Sequence, residues 1–224
     1  MSSGSAHRRP DYHRAARTAY QVLLAAGDRE LPVNMLALLD RCKHTQVLSY
    51  TQAARQYGES VYSLVNKWPS HHAFTVRETG DDGGARYMVF YNDDVCFGNQ
   101  ASRRWSLAHE LGHILLGHAA QACPPDEMEA NCFTQHLLCP RPLLEALPGP
   151  DLDMLCVAFG LSRAAAAIAL RSAGGRSIYV DEDMRQGILS LYGIAPGADW
   201  PHILHPIQRA AYNARRRRED KGGF

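Results

Sequence analysis

The chain has 224 residues, 46% hydrophobic and 21% charged, with a formal net charge of +1. That length holds one good-sized domain with an appendage, or two small domains, and the balanced charge excludes a protein held on nucleic acid by bulk electrostatics alone. No run approaches the roughly 18–20 apolar residues of a spanning helix, no apolar core follows the basic MSSGSAHRRP as a secretory signal requires, and the six scattered cysteines form no CxxC, so a cytoplasmic protein with free thiols is expected.

Residues 1–10 read as a flexible leader. From Asp11, apolar residues recur at Tyr12, Ala16, Ala19, Tyr20, Leu23 and Leu24, one face of a helix that Gly27 ends. A short helix follows over Val33–Arg41, then a strand near Val47–Tyr50, with Thr51 capping another helix. The period then changes. Ala73–Glu78 and Ala85–Asn92 are rich in β-branched and aromatic residues and flank the turn-forming TGDDGG, which predicts an antiparallel hairpin.

Asn99 can cap a helix through RRWSLAHELGHILLG, with Gly117 near its end. Pro124 and Pro125 mark a break, and Asp126 is the expected cap of a helix over EMEANCFTQHLL. Residues 151–173 read as helix, tight turn at Gly160, helix. Beyond 175 the pattern is less regular and ends in four arginines, Arg215 to Arg218.

His109-Glu110-Leu111-Gly112-His113 carries the chemistry. Residues four apart on a helix stack one above the other, so both imidazoles can reach one metal. Glu110 is turned about 100° from His109 and stands beside such a metal, where a general base belongs. The plain alternative is an amphipathic helix with surface histidines, since Leu107, Ala108, Leu111, Ile114 and Leu115 form an apolar side. A third ligand is still needed. The pattern HExxHxxGxxH fails, because Leu116 and Ala119 occupy its glycine and histidine positions and His118 lies one residue short. A carboxylate from the next helix is the other solution. Glu127 shares a face with Asn131, whose amide can bond a ligand histidine from behind; Glu129, on the stripe of Phe133 and His136, is the alternative ligand.

RRWSLAHELGHILLGH followed by EMEANCFTQHLLCP resembles the ImmA/IrrE family of metallopeptidases, over roughly residues 12–175. Trp105, Thr134 and Cys139 depart from the residues frequent there. The resemblance implies an α+β fold, mostly helical and zincin-like, of the gluzincin type, with a small antiparallel sheet beside the HExxH helix. The catalytic domain would span residues 11–175 and include the helix-turn-helix-like segment 151–173, leaving 176–224 as an extension with a basic tail. It also implies one zinc ion per chain held by His109, His113 and Glu127, with Glu110 catalytic. The implied substrate is a helix-turn-helix transcriptional repressor, whose cleavage derepresses phage, mobile-element or stress-response genes.

Two rival readings are weaker. The segment after Gly160 has helix-turn-helix rhythm but offers only Arg163 and Arg171 as charged readers, too few for base readout, so direct DNA binding is not expected. A non-catalytic zinc-containing regulator that binds a partner would need the ligands but not Glu110. His118, His136 and Tyr179 are candidate donors to a developing oxyanion. The edge of Ala85–Asn92 is a candidate docking line for an extended substrate.

Overall fold

A computed structural model describes residues 8–80, 83–94, 99–119, 122–173, 181–195, 198–199, 204, 209–210 and 213. Helix α1 spans Tyr12–Ala26; the Asp11 carboxylate accepts from the Arg14 N–H at its start, and Gly27, at φ 68°, ends it. Its buried stripe is Ala15, Ala16, Ala19, Tyr20 and Leu23. Helix α2 (Met35–Asp40) is capped by Asn34. Strand β1 covers Thr45–Ser49, and Ser49, rather than Thr51, caps α3 (Tyr50–Tyr57) in a reciprocal pair with Gln52. Helix α4 (Val61–Lys67) follows.

The period-two segments form β2 (Ala73–Thr79) and β3 (Ala85–Tyr91), antiparallel, with Ala73 opposite Tyr91 and Thr79 opposite Ala85. The sheet is not purely antiparallel as expected. β1 joins β3 in parallel, Thr45 opposite Tyr87, and the strand order is β1-β3-β2. The intervening α3 and α4 lengthen the connection enough for a parallel return, which a tight turn cannot provide. β3 is therefore central, with both edges paired. Among the described residues the open edges are the outer ones of β1 and β2, so a docking line for substrate cannot lie on the paired strand within Ala85–Asn92.

Helix α5 (Gln100–Leu115) carries the histidine motif and is capped by Asn99. Helix α6 spans Pro124–Leu138. It begins two residues before the expected cap, because prolines at the first two helical positions lack only N–H groups that have no partner there anyway. Asp126 instead reaches back to accept from the Cys123 N–H at 3.0 Å. Then come α7 (Arg141–Ala146), α8 (Leu152–Phe159), α9 (Arg163–Ala173) and α10 (Glu182–Leu191). The axes of α8 and α9 differ by 111° across Gly160.

The main core joins α1, α5, α6 and α7 to α10. Ile188, Leu189, Tyr192 and Leu204 belong to it, so residues beyond 175 contribute to the same core as the motif helices. A smaller aromatic cluster of Tyr50, Trp68, Phe74 and Phe90 fills the far side of the sheet. Among the described residues no single helix is long and apolar enough to cross a membrane.

Two of the contacts that position α5 stand out for their closeness. A Cβ at Gly112 would lie 3.0 Å from the Phe133 ring and 3.4 Å from the Ala130 Cα, so α5 and α6 touch where α5 has no side chain. Arg104 donates to the Gly160 carbonyl at 2.8 Å, tying α5 to the α8–α9 turn. Gly112→Ala should therefore destabilise the fold by on the order of 1 kcal/mol, overpacking outweighing the gain in helix propensity. Denaturant unfolding measures this; an unchanged midpoint would show that Phe133 yields freely.

Candidate metal centre

Helical spacing puts His109 and His113 one turn apart on α5, and the close approach at Gly112 brings the first turn of α6 over them. His109 Nε2 and His113 Nε2 stand 2.9 Å apart. The Glu127 carboxylate lies 3.2 Å from the first and 3.5 Å from the second. One donor atom from each of the three residues can be chosen so that all lie within 4.8 Å of one another. Ligand atoms of a tetrahedral zinc site with bonds of about 2.0–2.1 Å sit roughly 3.3 Å apart, so this donor set fits a small tetrahedral cation. Burial drives the His113 pKa down to about 4, leaving a neutral ring whose lone pair is free for a metal.

Glu110 points beside this cluster into the same cleft of about 670 Å³. Thr75 of β2 donates its hydroxyl to Glu110 Oε2 at 2.6 Å. Burial raises the Glu110 pKa, partly offset by the Thr75 hydrogen bond and the charge of His109. Thr75 was not among the residues singled out from the sequence; it appears there only as a strand residue, and the contact exists because β2 lies against α5.

Glu129, the alternative ligand, is elsewhere. Its side chain is fully buried, bonded to His118 Nε2, to Arg14 and Arg8, and to the Asp11 N–H. Two residues along a helix is a rotation of about 200°, so Glu127 and Glu129 face opposite ways. Asn131 lines the cleft one turn after Glu127 and is exposed; no hydrogen bond to His109 or His113 is formed by it among the described residues. The group behind His113 is His118, 3.0 Å away.

His136 is remote from the cleft. Tyr20 holds its Nδ1 at 2.6 Å, and burial lowers its pKa to about 4. Tyr179 and Arg215–Arg218 lie outside the described residues. Burial pushes the Cys139 thiol pKa up, which suits a small hydrophobe rather than a reactive thiolate. Arg163 pairs with Asp153 of α8, and Ala166 and Ala169 of α9 are buried, so α9 presents little polar surface for reading DNA.

The family model for the IrrE N-terminal-like domain, Peptidase_M78, matches residues 49–171, more than half of the chain. The chain belongs to this family. That makes it a metallopeptidase of the IrrE type by membership, and the matched span contains α5 and α6 with the whole donor cluster. No curated protein matches the chain at a significant level.

The network around Glu129 also fixes how acid should affect stability. Burial would raise the Glu129 pKa, but the hydrogen bonds from Asp11, His118, Arg14 and Arg8 hold it at about 2, against an ordinary 4.5. A depressed carboxylate contributes its stability fully above the ordinary pKa and loses it as pH falls through the folded one. The unfolding free energy should thus fall between pH 4.5 and about 2, and Glu129→Gln should flatten that fall. Parallel acid profiles for the two proteins would contradict it.

Proposed function

We propose that the protein is a zinc-dependent endopeptidase of the gluzincin type, with His109, His113 and Glu127 as ligands and Glu110 as the general base. The convergence of two imidazole nitrogens and one carboxylate, with a second carboxylate held to one side, carries this reading. Bound zinc supplies a Lewis acid that polarises the substrate carbonyl and acidifies water. Glu110 accepts the proton of the attacking water and returns it to the departing amine. Its raised pKa makes that exchange easier near neutral pH than it would be for an ordinary glutamate. Thr75 fixes one carboxylate oxygen, which leaves the other free to face the water.

The open edge of β2 runs along the cleft through Phe74, Thr75 and Arg77. An extended peptide pairing there would be held by its backbone, with side chains adding weaker selectivity. The family resemblance supports a helix-turn-helix repressor as the substrate, and with it a cytoplasmic site of action and a role in releasing repressed genes. The presence of Glu110 beside the donors favours this over a regulator that binds metal without cutting.

Glu110→Gln should keep one zinc per chain and lose activity by on the order of 10²–10⁴-fold. The readout is the set of new protein N-termini formed in source-cell lysate supplemented with a repressor encoded nearby. Termini that need zinc and Glu110 name the substrate; full activity of the variant would overturn the assignment of the base. Thr75→Val should lower kcat/KM by on the order of tenfold at unchanged zinc content, with Thr75→Ser close to the unaltered enzyme. Equal rates for Thr75→Val and the unaltered enzyme would remove Thr75 from the mechanism.

A further inference from the structure

The two cleft histidines differ at their far nitrogens. His109 Nδ1 is buried without a hydrogen-bond partner among the described residues. His113 Nδ1 lies 3.0 Å from His118 Nδ1, and His118 Nε2 lies 3.2 Å from Glu129 Oε2. The side chains of His118 and Glu129 are 1% and 0% exposed. Beyond them, Glu129 is gripped by Arg14, by Arg8 and by the Asp11 N–H.

The end of α5 builds this arrangement. Gly117, at φ 68°, turns the chain left-handed; its N–H bonds the Ile114 carbonyl, and the His118 N–H bonds the His113 carbonyl. This paired closure of a helix end needs a residue without a Cβ penalty at the turn. It folds His118 back beneath the last turn, against His113.

Hydrogen-bond roles then run in one direction. An imidazole that offers Nε2 to a metal carries its proton on Nδ1. His118 Nδ1 must accept that proton, so the proton of His118 sits on Nε2 and is donated to Glu129. An ionised carboxylate only accepts, which closes the chain without two protons or two lone pairs meeting.

We propose that His118 and Glu129 are positioning residues of the metal centre: they hold His113 as the Nδ1–H tautomer with Nε2 aimed into the cleft, and Arg8 and Arg14 anchor them from the N-terminal segment. The inference rests on the ligand set proposed above. Outer partners of this kind typically contribute about 10–100-fold to metal affinity.

Zinc affinity measured by chelator competition tests it, with unfolding of the metal-free proteins followed in parallel. His118→Leu should weaken zinc binding by about 10–100-fold. His118→Asn, whose carbonyl oxygen takes the place of Nδ1, should recover part of the loss. Nitrogen-15 NMR of the unaltered, zinc-loaded chain should find His113 protonated at Nδ1 and His118 at Nε2, a readout that no variant's folding affects. Unchanged affinity in a folded His118→Leu protein, or a His118 proton on Nδ1, would overturn the positioning role while leaving the zinc site standing. No zinc binding by the unaltered chain would overturn the ligand set and this inference with it.

Discussion

The close approach of α5 and α6 at Gly112 is the constraint on which the site depends. A helix that presents two histidines cannot finish a metal centre alone, because its own backbone blocks one side of the donor cluster. The third group must come from a neighbour near enough for a short side chain to reach. With the Phe133 ring and the Ala130 backbone lying where a Cβ of residue 112 would be crowded, Glu127 at the start of α6 comes within 3.5 Å of both Nε2 atoms. The three carboxylates of that first stretch point in different directions, about 100° per residue. Asp126 closes the helix start and pairs with Arg8, Glu127 enters the cleft, and Glu129 goes into the protein.

Two glutamates, Glu129 buried and Glu110 half-buried, are treated in opposite ways. Glu129 has four donors around it and stays an anion well below the ordinary carboxylate range. Glu110 has one side-chain donor, Thr75, and burial dominates, raising its pKa. A carboxylate met by donors on every side is held as an anion, whereas one that is desolvated with fewer donors is pushed toward its protonated form. The difference follows from position: Glu129 faces the arginines of the N-terminal segment, and Glu110 faces a strand.

Most of the site's linear part was legible in the sequence, because helical periodicity converts spacing into direction. His109, Glu110 and His113 needed only a helix, and the cap at Asn99 and the stop at Gly27 follow from local chemistry. The parallel pairing of β1, which makes β3 central and closes its second edge, depends on contacts between segments about forty residues apart. No local pattern encodes those. Thr75 was invisible for the same reason. His118 is discarded as a ligand by spacing alone, but spacing does not show where it goes: the left-handed turn at Gly117 carries it under His113. The choice between Glu127 and Glu129 needed the direction of packing of α6, which alternation of polar and apolar residues leaves ambiguous in a helix so largely buried.

The tie between Arg104 and the Gly160 carbonyl bears on how α8 and α9 are joined to α5. A Cβ at position 160 would sit 1.9 Å from the Arg104 guanidinium, so the α8–α9 corner is shaped around a cation from α5. Burial also lowers the Arg104 pKa, the mark of a charge withdrawn from water. A chain cut before α8 would strand that guanidinium without its acceptor, five residues ahead of His109. The α8–α9 corner and the helix that carries the histidines are thus joined by one partly buried charge-assisted contact, and the α8–α9 residues share the main core with that helix.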